Sequence, residues 1–387
     1  MKKNKMFSTL LLISSFLFCG CSQAGPVQPV PEQAPIKETK EEKIKKFIST
    51  MTPEEKVGQM FIVGLPGPEY DTKAQTFIQE YHVGGVIQFD RNLTSGEQTS
   101  KFNQKLQEAA GETGKKIPLF IAVDQEGGQV VRMGDTLPNA PSAADIGNTG
   151  QPLEAKNWAV RTAQGIKEYG FNTNFAPVAD LGFTNRRSYG TTAQGVTPFV
   201  LAAVEGYKEQ QVLCALKHFP GIGRAVVDPH KDTSEITASR QAMASTDLLP
   251  FLTVVNKEPA ENFMIMVSHL VYPAYEKVPA SVSRVLLTEV LRKEWNYQGL
   301  IITDDMAMGG LANVYAPEEM GLLVINAGAD LLLSCNPDMT PALYQSVLQA
   351  VKNKEITINR LDESVYRILK VKEKLGIWQL DEGKGIK

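Results

Sequence analysis

The chain has 387 residues, of which 43% are apolar and 21% are charged, and its formal net charge is −3 at pH 7. This composition is ordinary for globular proteins and excludes a wholly disordered or fibrous chain. A slightly acidic chain lacks the excess of basic residues that binds nucleic acid, so we expect no DNA or RNA partner. Four cysteines are too few for a dense disulfide framework. These limits leave a globular domain, and we expect it to be an enzyme.

Residues 1–20 have the pattern of an export signal. Three lysines precede a short apolar core, Phe7–Phe18, which is not long enough to span a bilayer stably. Gly20 followed by Cys21 resembles a bacterial lipobox, in which the cysteine is lipidated after cleavage, although Phe18 replaces the usual leucine. We expect a protein exported from the cytoplasm and tethered to the membrane through lipid on Cys21 alone. Plain secretion without a lipid is the alternative.

The remainder divides into a tether and one domain. Residues 21–40 are rich in proline and poor in large apolar side chains, which predicts a semi-extended tether. Residues 41–387 are predicted to form a single catalytic domain, and we expect it to be monomeric. Its two cysteines, Cys214 and Cys335, lie in apolar runs and are predicted to be buried free thiols.

Eight apolar runs alternate with helix-like segments from residue 41 onward. Such continuous runs are typical of parallel strands that are buried on both faces. They occupy residues 59–67, 84–90, 118–128, 173–181, 212–221, 263–273, 299–310 and 329–338. Helical spacing is found at 94–110, 153–169, 198–210 and 284–295, and Thr52 begins a capping-box pattern. The predicted fold class is α/β, a TIM (β/α)8 barrel. An open doubly wound sheet is the structural alternative, but no glycine-rich dinucleotide turn follows the first strand.

The carboxyl ends of the predicted strands carry polar side chains. In a TIM barrel these ends surround the active site, so we expect one shared pocket. The side chains at the ends are Asp124, Asp180, Lys217, His218, His269, Asp304 and Asp305.

Two features of this pocket suggest acid–base and nucleophilic chemistry. Asp228, Pro229 and His230 lie in a loop after the fifth strand, where the carboxylate could orient the imidazole for proton transfer. A solvated loop histidine is the simpler alternative. Asp304 ends the seventh strand and could attack an anomeric carbon, but the adjacent Asp305 faces the other side of the pleat. Spacing does not decide which of the two carboxylates enters the pocket.

Several ordered blocks resemble family 3 glycoside hydrolases of the β-N-acetylhexosaminidase type, the NagZ-like group. The resemblance extends from about Thr52 to Leu375. Its blocks include VDQEGGQVVR (123–132), RRSYG (186–190), KHFPGIG (217–223) with DPH (228–230), MVSHLVYP (266–273), PASVS (279–283) and GLIITDDMAM (299–308).

The resemblance implies a retaining exo-enzyme that releases terminal β-linked N-acetylglucosamine without a metal or cofactor. Asp304 would be the nucleophile, and His230 would be the general acid/base, held by Asp228. The substrate-binding residues would be Asp124, Arg132, Arg187, Lys217 and His218. With the expected location, peptidoglycan fragments (muropeptides) are the favoured substrates and chitin oligosaccharides the alternative. Whether water or phosphate is the acceptor stays open.

Two residues depart from the family pattern. Ile222 stands where the family usually has histidine, and Pro229 stands where it usually has serine. These changes bear on loop mobility and rate more than on the class of reaction. The alternatives are a β-glucosidase or β-xylosidase of the same fold, a non-catalytic sugar-binding lipoprotein, and a metal-dependent hydrolase that uses His218, His230, His269 and Asp304.

Overall fold

The computed structural model describes residues 38–380 except 133, 135, 137, 138, 183–185 and 226–233. The predicted export signal, Cys21 and most of the tether therefore lie outside the described residues. Asp228 and His230 also lie outside them.

Eight parallel strands form a closed barrel in the order β1-β2-β3-β4-β5-β6-β9-β10, where β10 pairs again with β1. The barrel strands are β1 (Phe61–Gly64), β2 (Gly85–Gln88), β3 (Phe120–Val123), β4 (Thr173–Asn174), β5 (Leu213–Phe219), β6 (Phe263–Val267), β9 (Leu300–Asp305) and β10 (Leu331–Ser334). A small antiparallel hairpin, β7 (Val271–Tyr272) with β8 (Glu276–Pro279), follows β6. Each barrel strand lies within one of the eight predicted runs, so the TIM-barrel prediction is confirmed.

Helices surround the barrel. They are α1 (Lys40–Ser49), α2 (Pro53–Gln59), α3 (Thr72–Gln75), α4 (Gly96–Gly111), α5 (Ala143–Asn148), α6 (Pro152–Glu168), α7 (Ala193–Glu209), α8 (Arg240–Ser245), α9 (Leu249–Lys257), α10 (Gly309–Ala312), α11 (Pro317–Ala327), α12 (Thr340–Lys352) and α13 (Ile358–Lys374). Two π-helical segments, Thr76–Glu80 and Val285–Glu294, and three short 3₁₀ turns, Asp90–Asn92, Ala260–Asn262 and Ala280–Val282, complete the list. Within the described part of the chain, no helix combines the length and the apolarity that crossing a bilayer requires.

Local sequence explains where the helices begin. Thr52 and Glu55 form the predicted capping box at α2, in which each side chain bonds the other's backbone amide. Helix α7 contains most of the segment with predicted helical spacing, 198–210, but begins five residues earlier, at Ala193 behind a Thr192 cap. Pro198 has no amide proton to donate to the Gln194 carbonyl one turn earlier. The preceding Thr197 hydroxyl donates to the Ala193 carbonyl at 2.7 Å. Helix α1 begins at Lys40, the last residue of the predicted tether.

The strands are apolar because both of their faces are buried. All four residues of β1, β2, β3 and β10 are buried, and the barrel strands pack into one core with the surrounding helices. A second cluster joins α1 to α13 through Ile44, Ile48, Val365 and Leu369. The polar side chains are thereby left to the strand ends, where the site lies.

Candidate active site

A cleft of about 640 Å³ opens at the carboxyl ends of the barrel strands. Its walls bring together six of the predicted site residues, from β5, β9 and the loops that follow β3 and β4. They are Asp124, Arg132, Arg187, Lys217, His218 and Asp304. The remaining cleft residues include Glu126, Asp305, Phe89, Met308 and Cys335. Of the seven side chains predicted at strand ends, Asp124, Lys217, His218, Asp304 and Asp305 line this cleft, whereas Asp180 and His269 do not.

Lys217 is the centre of an ion-pair network on one wall. Its ammonium lies 2.8 Å from Asp124 Oδ1 and 2.6 Å from Glu126 Oε1, and its side chain is 4% exposed. Burial alone would lower the pKa of Lys217, but the two carboxylates raise it above its ordinary value. Lys217 is therefore a fixed positive charge in the cleft.

Glu126 is a site residue that the sequence analysis did not single out. Besides Lys217, it binds the Arg187 guanidinium with two hydrogen bonds of 2.7 and 2.8 Å. Burial would raise the pKa of this carboxyl, but Lys217 and Arg187 outweigh burial and lower it to about 2. The sequence feature that could have indicated Glu126 as a site residue is its position two residues after Asp124, immediately before Gly127-Gly128.

Arg132 lies at the outer edge of this wall. Its guanidinium carbon is 5.6 Å from the centre of the Phe89 ring, and its Nη1 is 3.4 Å from Asp90 Oδ2. Its Nε is buried, and among the described residues it has no hydrogen-bond partner. Such a donor is suited to an acceptor on a bound ligand.

His218 is held by a carboxylate behind it. Its Nδ1 lies 2.7 Å from Oδ2 of the fully buried Asp180, which also accepts the backbone amide of Ile222 at 2.9 Å. Asp180 was predicted at a strand end but was not assigned a role. It positions His218 and the start of the following loop.

That loop begins with Gly221, Ile222 and Gly223. The Ile222 side chain is buried in the core, so at this position the departure from the family pattern fills an apolar site. A Cβ on Gly223 would lie 1.6 Å from the Leu181 carbonyl oxygen, which explains the glycine. Asp228 and His230 follow outside the described residues, and their dyad stays a prediction.

The two carboxylates of β9 have different environments. Asp305 Oδ1 accepts the backbone amides of Cys335 at 3.0 Å and Ala307 at 3.2 Å, and burial raises its pKa. Asp304 Oδ1 accepts only the Asp305 amide at 2.8 Å, and within the described residues its Oδ2 has no hydrogen-bond partner. Asp305 therefore braces the strand end, and Asp304 has an oxygen available for chemistry.

Neighbouring groups favour the ionised form of Asp304. Burial opposes its negative charge, but His218, His269, Lys217 and the Asp305 amide outweigh burial and lower its pKa. An ionised carboxylate with one uncommitted oxygen is suited to nucleophilic attack. These environments favour Asp304 over Asp305 as the carboxylate available to a substrate, and its role as the nucleophile stays a prediction.

The remaining features bear on the alternatives. Among the described residues, which do not include His230, no three histidine, cysteine or acidic side chains lie close enough together to bind a metal ion. Cys214 is buried as predicted, but Cys335 is only partly buried, because it lines the cleft.

Comparison with known proteins gives a consistent result. Residues 52–371 match the model of the glycosyl hydrolase family 3 N-terminal domain. Over 77% of its length, the chain is similar to a beta-hexosaminidase A from Pseudoalteromonas piscicida (32% identity) and to a beta-hexosaminidase from Haemophilus influenzae (30%). It is also similar in structure to a family 3 beta-N-acetylglucosaminidase from Paenibacillus sp. FPU-7, with a TM-score of 0.82 and 32% identity over 87% of this chain.

These matches cover different shares of the relatives. The chain spans 84% of the Haemophilus protein, but only 54% of the Pseudoalteromonas protein and 65% of the Paenibacillus structure.

Proposed function

Because this chain belongs to glycosyl hydrolase family 3, we propose that it is an exo-acting, retaining β-N-acetylglucosaminidase. Its substrate would carry a terminal β-linked N-acetylglucosamine. The sugar preference is supported by the relatives, which are named as beta-hexosaminidases and a beta-N-acetylglucosaminidase.

The observation that carries the proposal is the state of Asp304. Its carboxylate lies in the cleft with a lowered pKa and an uncommitted Oδ2. That oxygen would attack the anomeric carbon while the glycosidic bond to the leaving oxygen breaks. The product of this step is a covalent glycosyl-enzyme, as retention requires.

His230 would complete the reaction as general acid/base, with Asp228 as its partner. In the first step it would give its proton to the leaving oxygen. In the second it would take a proton from the water that attacks the anomeric carbon, while the bond from that carbon to Asp304 breaks and releases the carboxylate. The role is supported by the sequence pattern and by the preceding loop, whose start is fixed by Asp180 and Gly223.

The charged wall of the cleft would bind the sugar hydroxyls. Lys217 and Arg187 are donors and Asp124 is an acceptor, and all three are held in place by the Glu126 network. His218 and Arg132 extend this surface. Groups that are fixed before binding lose little conformational entropy when a sugar binds.

We also propose that the protein is exported and anchored through lipid on Cys21, and that its natural substrates are peptidoglycan fragments. This proposal is supported by the signal-like pattern of residues 1–20 and by the chemistry of the released sugar. Membrane fractionation of the wild type and a Cys21→Ala variant tests the anchor. The variant should move to the soluble fraction, and equal membrane retention would contradict lipidation.

The activity is tested by release of p-nitrophenol from its β-N-acetylglucosaminide and its β-glucoside by the full chain. We expect turnover of the acetamido sugar, with the β-anomer of the product seen first by NMR. Asp304→Ala should lower kcat by at least about 1,000-fold, and His230→Ala by about 100- to 10,000-fold.

An exposed acid provides the matched control, because Glu97→Ala on α4 lies outside the cleft and should match the wild type. Turnover of the glucoside alone would indicate a β-glucosidase. No turnover by the folded wild-type chain would indicate a sugar-binding protein.

A further inference from the structure

His269 is a fully buried histidine directly after β6 that does not line the cleft. Its Nε2 lies 3.0 Å from the backbone carbonyl oxygen of Asp305, and its Nδ1 lies 2.7 Å from the hydroxyl oxygen of Ser281. Both ring nitrogens are therefore bonded, and one of the bonds reaches the strand end that carries Asp304.

These two partners determine the tautomer. A carbonyl oxygen only accepts hydrogen bonds, so the proton must be on Nε2. Burial lowers the pKa of His269, which leaves the ring neutral and Nδ1 as an acceptor. Ser281 then donates its hydroxyl proton to Nδ1. Ser281 is itself fully buried, and its amide donates to the Ser268 carbonyl at 3.1 Å.

The end of β9 is thus held from two sides. The Asp305 side chain accepts two backbone amides, and the Asp305 carbonyl accepts the imidazole proton. The Asp305 amide in turn donates to Asp304 Oδ1. A rotation of the Asp305 peptide groups would therefore turn the carboxylate of Asp304.

We propose that His269 is a positioning residue for Asp304, and that Ser281 holds it in the Nε2–H tautomer. This inference rests on the proposed function, since it assigns His269 to the orientation of the nucleophile. It also accounts for the MVSHLVYP and PASVS segments, which supply the histidine and the serine.

The test compares His269→Phe, His269→Gln and Ser281→Ala in the full chain. Glutamine keeps an N–H donor close to the position of Nε2, and phenylalanine keeps the ring without a donor. Ser283→Ala is the matched control, because Ser283 is also fully buried in the same segment but bonds Glu276 and the Leu286 amide. Circular dichroism and thermal melting verify that each variant is folded.

For His269→Phe we expect kcat to fall about 100-fold at nearly unchanged KM, because a small displacement of a reacting group has an effect of this size. The kcat of His269→Gln should recover at least half of this loss on a logarithmic scale. The kcat of Ser281→Ala should lie between the values for the two His269 variants. Ser283→Ala should keep the wild-type kcat even if it melts earlier.

The acid limb of the kcat/KM profile gives a second readout. The groups that face Asp304 are His218 and Lys217 from β5, His269 after β6, and Asp305 beside it on β9. Below its own lowered pKa the His269 imidazole becomes cationic and lowers the pKa of Asp304, so its loss should move the acid limb to higher pH in His269→Phe. Ser283→Ala should leave the acid limb unchanged.

Three outcomes would overturn the proposal. They are a folded His269→Phe variant with the wild-type kcat, a His269→Gln variant as slow as His269→Phe, or ¹⁵N NMR shifts that place the ring proton on Nδ1. If the wild type turns over neither sugar, the proposed function fails. The positioning role then fails with it, even where NMR shows the Nε2–H tautomer.

Discussion

Lys217 and Glu126 form an ion pair inside the cleft, with 2.6 Å between Nζ and Oε1 and less than a tenth of either side chain exposed. Each has a second partner, since Lys217 also binds Asp124 and Glu126 also binds Arg187. The four residues alternate in charge along a chain of contacts. Removing one charge should therefore affect both stability and the binding of sugar.

Lys217→Met should lower the free energy of unfolding by about 2 kcal/mol, because Glu126 and the partly buried Asp124 each lose a charged hydrogen bond. Urea unfolding at pH 7 measures this. The matched control is Lys101→Met, which breaks an ion pair of the same length, 2.6 Å, between Lys101 and Glu97 on the exposed face of α4. The control should change stability by less than about 0.5 kcal/mol. Equal effects would show that the buried pair contributes no more than a surface pair.

Glu126 should make the protein sensitive to acid in a defined range. Its pKa is lowered from 4.5 to about 2 on folding, so its contribution is complete above pH 4.5 and is lost as the pH falls towards 2. The difference in unfolding free energy between the wild type and Glu126→Gln should shrink over this range, by up to about 1.4 kcal/mol per pH unit. Urea unfolding at several pH values measures it, and a constant difference would contradict the lowered pKa.

The adjacent acids of β9 should respond differently to amide substitution. Asp304→Asn removes the charge of the proposed nucleophile and should lower kcat by at least about 1,000-fold. Asp305→Asn keeps an oxygen that can accept the Cys335 and Ala307 amides, so its kcat should fall by less than about 10-fold. Steady-state rates with the p-nitrophenyl substrate decide this. A larger loss in Asp305→Asn would identify Asp305 as the nucleophile.

More of the fold than of the candidate site could be predicted from the sequence. All eight strands were predictable because burial on both faces leaves continuous apolar runs. Asp180 and His218 are 38 residues apart, and only the closed barrel shows that they bond at 2.7 Å. Spacing could not separate Asp304 from Asp305, because the difference lies in the backbone amides of Cys335 and Ala307. Glu126 was missed because its two cationic partners come from other strands and loops.

Gly223 should be required for the geometry of the loop that leads to Asp228 and His230. A methyl group there would lie 1.6 Å from the Leu181 carbonyl oxygen, and two other backbone atoms of Leu181 lie within 3.1 Å. Gly223→Ala should therefore destabilise the chain by at least about 2 kcal/mol and lower kcat/KM. Gly111→Ala is the control, because no atom lies within 4 Å of its added methyl group. If Gly223→Ala and Gly111→Ala have the same melting temperature and the same kcat/KM, the close approach to Leu181 does not require glycine at position 223.

Lys372 should make stability rise with pH. It is fully buried in α13, where its ammonium donates to Gln59 Oε1 and the Gly84 carbonyl, both at 2.9 Å, and burial lowers its pKa well below 10.5. The unfolded chain therefore binds this proton more tightly, so protonation favours unfolding.

Compared with Lys372→Met, the wild type should gain stability as the pH rises above the folded pKa of Lys372. The gain is at most about 1.4 kcal/mol per unit and ends near pH 10.5. Urea unfolding between pH 6 and 10 measures this gain. The control is Lys374→Met at an exposed position of the same helix, and its unfolding free energy should change with pH as that of the wild type does. A pH-independent difference between the wild type and Lys372→Met would show that the buried amine keeps its ordinary pKa, in which case the two acceptors, and not burial, determine its charge.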